Sequence, residues 1–429
     1  MQPIHLVATL SLASTAALAQ GSYSYTLFDI TGSTGTTPSS IDAAGRVTGD
    51  FRDGSARYHG FERGPSGALT PIDHPGATDT HLAGTNDLGV TVGRWSVGPG
   101  SPSSFSYSAA GFVSLGALPG NLGGPSGINS AGTIVGSYSD FQFQQHGYVS
   151  VGGGITIVDY PGATHTNLVD VNDNGLIIGN YWDGSGARWR GFTYDGAQFV
   201  PLDKPGAHWT YLSGLNNVGQ IVGQQVDVSG SMRTAILYDQ GAWSDVLVPN
   251  VVGWSSAQDI NDSGTLCGYW QGPWNGVYGQ HGFVAEREPG ARYCAAVANS
   301  TGNAGRMSAE GSASVAANDL VLRASDLPLN AFGYFLTSAT QGLVPNPGGS
   351  YGDLCLGGAI GRFNAPTQVQ NSGSSGMFAL ALDLQQQPTP AGAVAVQPGE
   401  TWHFTTWYRD SQGGVVGSNF ADGYSVTFE

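Results

Sequence analysis

Large aromatic side chains are the residues of this 429-residue chain whose type and spacing best fit a binding function. Tryptophans exposed together on one rim mark a binding surface, because a flat indole face packs against the apolar face of a sugar ring or a polymer repeat. The predicted ligand-binding set is Trp182, Arg188, Trp189, His208, Trp209, Tyr211, Trp254, Trp270 and Trp274. The alternative interpretation is that these rings pack between structural repeats, and the sequence leaves both open.

Catalytic motifs do not stand out in the sequence, which lacks a Gly-x-Ser-x-Gly elbow and a P-loop. A carboxylate pair for glycoside hydrolysis would have to come from Asp73, Asp159, Asp183 or Asp203. Three of these aspartates occupy one repeated Asp-x-Pro position, which favours a role at the end of a strand. The sequence therefore assigns no catalytic residue and no cofactor, and it leaves enzymatic activity open.

One turn has the opening of a calcium loop. Residues 170–175 fit Asp-x-Asn-x-Asn-Gly, but Tyr181 stands where such loops carry a bidentate carboxylate. Turn chemistry explains the pattern better, because Asn and Gly accept positive φ angles in hairpin turns. His59, His146 and His281 recur at one repeated position, which favours a structural hydrogen bond over a ligand role. No metal site is predicted.

The elements that must position these residues come from a repeat of about 44 residues. An Asn-x-x-Gly turn, with Asp for Asn in the first copy, recurs with its glycine at positions 45, 89, 132, 175, 219 and 264. A second glycine follows four residues later in every copy, and each period holds a second hairpin that opens with His-Gly-Phe or a variant. This spacing predicts four short strands per repeat, and hence an all-β, six-bladed β-propeller.

The first strand predicts how the propeller closes. Residues 25–30 match the last strand of a repeat, whereas the sixth repeat ends at Glu288 without such a strand. The N-terminal strand can therefore complete the last blade, which removes the open sheet edges. In this arrangement the Asn-x-x-Gly hairpins supply the inner strands of each blade, and the aromatic loops share the opposite face.

The repeat motifs resemble those of the HAF-repeat family of probable extracellular proteins, named for a His-Ala-Phe tripeptide that is mostly His-Gly-Phe here. The resemblance covers residues 25–288 and implies no catalytic residues. Beyond Pro289-Gly290 the period stops, and alternating apolar and polar residues predict a C-terminal β-sandwich over residues 289–429. Residues 294–302, 353–363 and 399–410 resemble a C-terminal module of secreted bacterial proteins.

The N-terminus and the cysteines indicate export. Residues 1–19 have the form of a signal peptide, since an apolar run ends in the cleavage pattern Ala17-Leu18-Ala19. No other apolar stretch approaches the roughly 20 residues of a membrane span. In an oxidising compartment Cys294 and Cys355 can form a disulfide, worth roughly 3–4 kcal/mol in the chain-entropy model. Cys267 lies in a repeat strand and is expected to be a small buried hydrophobe.

The net charge of the chain excludes some classes of binding partner. The net charge of −16 offers no counterion-release affinity for nucleic acid and opposes contact with anionic membranes. We therefore expect a secreted, extracellular, monomeric and non-enzymatic binding or surface-interaction protein, with a propeller over residues 20–288 and a glycan or polymer as its ligand. Two alternatives stay open: a secreted polysaccharide hydrolase or lyase with its site in the propeller mouth, and a structural envelope or matrix component without a saturable ligand.

Overall fold

The computed structural model describes residues 23–98, 102–116, 122–230, 232–248, 253–274 and 277–429. The described chain is almost entirely β-structure, with one short 3-10 helix at Pro347–Gly349. It divides into two compact units, one spanning Ser24–Arg287 and the other containing Glu288–Glu429. Within this part of the chain no helix combines the length and hydrophobicity needed to cross a membrane. The predicted signal peptide, residues 1–19, lies outside the described residues.

In the first unit, strands that follow one another in sequence form four-stranded antiparallel sheets. The unit opens with strand β1 (Tyr23–Phe28). The first sheet contains β2 (Gly35–Ile41), β3 (Val47–Arg52), β4 (Tyr58–Arg63) and β5 (Leu69–Ile72). The second contains β6 (Asp79–Thr85), β7 (Thr91–Ser96), β8 (Ser103–Ser108) and β9 (Gly111–Ser114). The third contains β10 (Leu122–Ile128), β11 (Ile134–Ser139), β12 (Gln145–Val151) and β13 (Gly154–Ile157).

Three further sheets follow. The fourth contains β14 (Thr166–Val171), β15 (Ile177–Asp183), β16 (Arg188–Tyr194) and β17 (Phe199–Pro201). The fifth contains β18 (Trp209–Leu215), β19 (Ile221–Val226), β20 (Arg233–Asp239) and β21 (Ala242–Val246). The sixth contains β22 (Ser255–Ile260), β23 (Leu266–Trp274) and β24 (Val277–Arg287), and β1 adds to it in the order β1-β24-β23-β22.

Strand β1 joins the two ends of the first unit, as the sequence predicts. It is the outer strand of the sixth sheet, although it precedes the first sheet in sequence. Just after it, Asp29 Oδ2 accepts a hydrogen bond from His281 Nδ1 at 2.8 Å. Phe28 is buried in a cluster that includes Phe61 of the first sheet and Val284 of the sixth. The sheets therefore close on one another in the manner of a β-propeller.

Asparagine side chains connect neighbouring sheets at five of the six junctions, the exception being that between the first and second sheets, where Asp42 stands in place of asparagine. Each Nδ2 donates a hydrogen bond of 2.9–3.1 Å to the turn carbonyl of the next sheet, in the pairs Asn86–Asn129, Asn129–Asn172, Asn172–Asn216, Asn216–Asn261 and Asn261–Asp42. The Oδ1 of Asn172 also accepts from the backbone N–H groups of Asn174 and Leu176 within its own turn. Asparagine is therefore both the turn residue and the link between sheets, and the sequence predicted only the first role.

In five of the six repeats, all except that of Gly223, the second glycine makes room for an aromatic ring of the same sheet. A Cβ added at Gly49 would lie 2.9 Å from the ring of Phe61, and one at Gly268 would lie 2.7 Å from the ring of Phe283. Both phenylalanines are fully buried. Any larger residue at these glycines would displace a core ring, and overpacking of this kind is destabilising.

Two carboxyl groups are buried on the innermost strands of the propeller. Asp259 accepts hydrogen bonds from the Ser40 hydroxyl at 2.7 Å and from the Ile41 N–H at 2.9 Å. Asp170 accepts from the N–H of Leu215 at 3.1 Å. Burial raises the pKa of Asp259 to about 7. Burial also raises the pKa of Asp170, and the negative charge of Asp259 raises it further.

The propeller is expected to lose stability as the pH rises from about 5 to about 8. The pKa of Asp259 is about 7 in the folded state against an ordinary value of 3.8, so the folded protein holds this proton more tightly. That stabilisation is fully present below pH 3.8 and is lost as the pH rises to 7, and for this group the loss between pH 5 and pH 8 is roughly 3 kcal/mol. The hydrogen bond to Asp159 raises the pKa of His146, which acts in the same direction.

Thermal unfolding of the full chain at the two pH values measures this effect. In Asp259→Asn the same neutral side chain is present at both pH values, so the difference between the two unfolding midpoints should shrink. A wild-type midpoint that stays constant, or rises with pH, would contradict the assignment of these buried protons.

The second unit is also built from antiparallel sheets. Its largest sheet has seven strands: β25 (Ala291–Tyr293), β28 (Phe332–Ser338), β31 (Gly361–Arg362), β32 (Gln370–Asn371), β36 (Thr401–Gln412), β37 (Val415–Phe420) and β38 (Gly423–Thr427). A three-stranded sheet contains β26 (Arg306–Glu310), β27 (Val321–Ser325) and β33 (Phe378–Ala381). Two strand pairs are β29 (Gln341–Val344) with β30 (Leu354–Leu356), and β34 (Gln387–Thr389) with β35 (Gly392–Val394).

The cysteines have the roles that the sequence predicts. Cys294 and Cys355 form a disulfide with their Cα atoms 6.1 Å apart, and 61 residues separate them in sequence. Cys267 is a free thiol buried in a hydrophobic cluster with Phe28 and Ile41. The disulfide therefore lies within the second unit, whereas the free thiol is a core residue of the propeller.

Candidate ligand-binding surface

Four aromatic rings form a connected row across the fourth and fifth sheets, and we call Trp182, Trp189, Tyr211 and Trp209 the aromatic rim. Trp182 and Trp189 face each other in the antiparallel register of β15 and β16, with ring centroids 5.6 Å apart. Trp189 lies 6.0 Å from Tyr211 on β18, and Tyr211 lies 6.1 Å from Trp209. All four are half-buried, so each has part of its surface in contact with solvent. The row thus runs from one sheet to the next.

A cavity of about 210 Å³ lies beside the rim, between the fourth and fifth sheets. Its lining includes Arg188, Trp189, Lys204 and His208. The His208 ring stacks on that of Trp209, with centroids 5.5 Å apart. The structure therefore brings six of the nine predicted ligand-binding residues into one region, where aromatic faces and polar groups are adjacent.

Two polar donors of this region have no hydrogen-bond partner among the described residues. They are Arg188 Nε and Trp209 Nε1, and both atoms are buried. A buried N–H group without a hydrogen-bond partner costs about 1–3 kcal/mol. The charges of this region are balanced within the protein. Arg188 Nε lies 4.0 Å from Asp183, Arg190 binds both Asp183 and Asp203 at 2.8 Å, and Lys204 lies 3.3 Å from Asp245.

Of the remaining three predicted residues, Trp270 and Trp274 are in the sixth sheet and Trp254 directly precedes it, and their environments differ. Trp270 is only 1% exposed and its ring lies 4.7 Å from that of His281, so it is a core residue. Trp274 is half-buried, with its ring 5.5 Å from that of His281. Trp254 is half-buried, and its ring lies 5.8 Å from that of Tyr269. Of these three tryptophans, only Trp254 contacts a residue that also interacts with the aromatic rim.

That residue is Arg233, which the sequence did not single out. Its guanidinium lies over the Trp254 ring, 4.8 Å from the centroid. Burial raises the pKa of Tyr211 to about 12, and the positive charge of Arg233 opposes this shift. Arg233 therefore acts electrostatically on a rim residue while it contacts Trp254, which directly precedes the sixth sheet. It begins β20, in the repeat whose His-Gly-Phe motif is replaced by Thr234-Ala235-Ile236, so no repeated motif pointed to it.

The repeated histidine position is structural. His59, His146 and His281 each hydrogen-bond an aspartate at the end of an outer strand, and Arg190 occupies the same position in the fourth sheet. The distances to Asp73, Asp159, Asp29 and Asp203 are 2.9, 2.7, 2.8 and 2.8 Å respectively. These contacts engage three of the four aspartates considered for glycoside hydrolysis, and Asp183 is bound by Arg190.

Not every loop tryptophan joins the rim. Trp95, in the second sheet, stacks on His74 with ring centroids 4.2 Å apart and packs against a buried cluster that contains Phe105. This is the packing between repeats that the sequence left open as the alternative. Among the described residues no group of three or more His, Cys, Asp or Glu side chains is placed to hold a metal ion.

No protein-family model and no curated protein sequence matches the chain. Several solved structures have a similar arrangement at low identity. The SapL1 lectin in complex with alpha methyl fucoside is 11% identical with a TM-score of 0.42, covering 60% of this chain and 97% of that one. A lectin of Aleuria aurantia in complex with Fucalpha1-6GlcNAc is 14% identical with a TM-score of 0.38, covering 56% and 89%. TolB from Acinetobacter baumannii is 13% identical with a TM-score of 0.42, covering 56% and 64%. Similarity of this extent assigns no ligand to the chain.

Proposed function

We propose that this protein is a secreted, non-enzymatic binding protein whose aromatic rim holds a neutral glycan. The observation that supports the proposal is the connected row of half-buried rings, Trp182, Trp189, Tyr211 and Trp209, with centroids 5.6–6.1 Å apart. Each ring offers an apolar face to the C–H face of a sugar, and a row of rings suits a ligand with repeated units.

The polar groups of the rim favour a ligand that carries no charge. Arg188 is paired with Asp183, whose Oδ2 lies 4.0 Å from its Nε. The nearby cations Arg190 and Lys204 already bind carboxylates. A charged polymer would therefore find no unpaired opposite charge there, whereas a neutral one would gain contact area.

The proposal includes the architecture and the compartment. Residues 20–288 would form a six-bladed propeller of the HAF-repeat type, and residues 289–429 a β-sandwich. Residues 1–19 would be removed on export, and the mature protein would act outside the cell as a monomer. The disulfide between Cys294 and Cys355 supports an oxidising compartment.

Binding to immobilised neutral polysaccharides tests the function. Trp189 lies between Trp182 and Tyr211 in the row, so we expect Trp189→Ala to lower the affinity at least about tenfold, or ~1.4 kcal/mol. Trp243→Ala is the matched control, because Trp243 is also half-buried but belongs to the β20–β21 hairpin at the far end of the strands. Equal losses in both variants, or no saturable binding to any polysaccharide, would refute the proposal. Turnover of the bound polymer would refute its non-enzymatic part.

A further inference from the structure

A larger cavity lies on the axis of the propeller and has a volume of about 640 Å³. Small-molecule sites typically occupy about 300–1,000 Å³. Every sheet contributes to its wall a residue from the bulged part of its innermost strand: Ser39, Ala83, Ser126, Val169, Ser213 and Gln258. All of these except Gln258 are small, so the axis stays open. None of the aromatic rim residues lines this cavity.

The charged groups of the cavity come from the first two sheets. His81 Nδ1 hydrogen-bonds the carboxylate of Asp50 on β3. Arg94 on β7 is the direct partner of His81 in the antiparallel register with β6, and it also lines the cavity. The Arg94 stem packs over Gly124 of the third sheet, where an added Cβ would lie 3.4 Å from Arg94 Cδ. Because residue 124 is glycine, the Arg94 side chain fits beside the cavity without a steric clash.

The two charged groups of the cavity, Asp50 and Arg94, are not paired with each other. Asp50 carries the one carboxylate among the described lining residues, and it is engaged by His81. The guanidinium of Arg94 has no ion pair or hydrogen bond with any other described residue, and its side chain is exposed to the cavity solvent. The net charge of the chain is −16, so its surface as a whole repels anions. The unpaired Arg94 guanidinium is a local exception that can attract one.

The other wall groups are uncharged donors and acceptors. Ser137, Ser139 and Gln145 of the third sheet line the same side as Tyr138. Hydroxyl and amide groups of this kind match the hydroxyl groups of a sugar. The turn that joins Ser139 to Gln145 also exposes Phe141 and Phe143, which are 78% and 74% accessible, at the edge of this wall.

We propose that the axial cavity binds a sugar acid, a polyhydroxylated ring with one carboxylate. Arg94 pairs with the carboxylate, because a planar guanidinium and a carboxylate form two parallel hydrogen bonds. His81, oriented by Asp50, presents its second nitrogen as a further polar contact, and the serine and glutamine side chains bind the hydroxyl groups. This site is separate from the neutral-glycan surface proposed above and does not depend on it.

Titration calorimetry of the full chain with glucuronic acid and with its uncharged methyl ester tests the proposal. We expect the acid to bind at least tenfold more tightly than the ester. Arg94→Gln should reduce the affinity for the acid to that for the ester, and Arg94→Lys should give an intermediate value, because lysine keeps the charge but not the two parallel hydrogen bonds.

Arg287→Gln is the control for the loss of one positive charge. Arg287 is exposed and lies beside the Gly264 turn, on the opposite face of the propeller, so its removal should leave the affinity unchanged. Binding of neutral polysaccharide at the aromatic rim should be the same in Arg94→Gln as in the wild type, which separates the two proposals. Equal affinity for acid and ester, or unchanged acid binding in Arg94→Gln, would overturn the inference. A sugar sulfate or phosphate that binds more tightly than the acid would overturn it as well.

Discussion

Removal of strand β1 is expected to unfold the whole propeller. The strand is the outer member of the sixth sheet, and Phe28 at its end packs against Phe61 of the first sheet and Val284 of the sixth. Without it the ring has an open edge along β24, and the sheets at its two ends lose a shared core. We expect a chain that lacks residues 24–30 to show no cooperative unfolding transition at the temperature of the wild type.

A point substitution makes the same test without changing the length of the chain. Phe28→Ala should lower the free energy of unfolding by about 3–5 kcal/mol, which chemical denaturation measures. Phe141→Ala is the matched control: Phe141 is 78% exposed in a turn of the same unit, so its truncation should change stability by less than about 0.5 kcal/mol. Similar stabilities for Phe28→Ala and the wild type would exclude closure through β1.

Truncation of Trp270 is expected to be the most damaging of the tryptophan substitutions for stability. Its side chain is 1% exposed, and it packs against His281, whose Nδ1 bonds Asp29 and whose Nε2 bonds the carbonyl of Gly272. Trp270→Ala would leave a large cavity beside this network and should cost about 3–5 kcal/mol in the free energy of unfolding. Denaturant unfolding monitored by circular dichroism measures the loss.

Ligand binding by Trp270→Ala tests whether this tryptophan is a core residue or part of the binding surface. At a low temperature where Trp270→Ala remains folded, its affinity for a neutral polysaccharide should equal that of the wild type. Trp189→Ala should behave in the opposite way and reduce the affinity. It should also destabilise the fold less than Trp270→Ala does, because Trp189 is only half-buried. If Trp270→Ala loses binding while its stability is unchanged, the assignment of this ring to the core is wrong.

The local pattern of the chain was sufficient to predict the repeating unit. Asn and Gly at fixed positions dictate tight turns, and the spacing of 43 to 45 residues between turn glycines divides the chain into equal pieces of four strands. The pairing of Cys294 with Cys355 and the burial of Cys267 also followed from local context. The placement of β1 in the last sheet followed from counting strands, because one repeat lacked its final strand and one strand preceded the first repeat.

Roles that depend on a neighbouring sheet could be assigned only in part. The sequence showed that Asn172 was a turn residue, but not that its amide reaches the carbonyl of Asn216 in the next sheet. The repeated histidines were expected to make structural hydrogen bonds, and His146 does so with Asp159. Two of their aspartate partners, Asp73 and Asp159, had however been considered as possible catalytic groups.

The candidate sites depended most strongly on the tertiary structure. Trp189 and Trp270 are both loop-proximal tryptophans of similar repeats, yet one joins a row of half-exposed rings and the other is buried beside His281. Asp50, His81 and Arg94 come from two sheets and meet at the axis, where no local motif relates them. A repeat determines the backbone that all its copies share. Which side chains meet between copies depends on the residues that differ, and on the radial packing that brings them together.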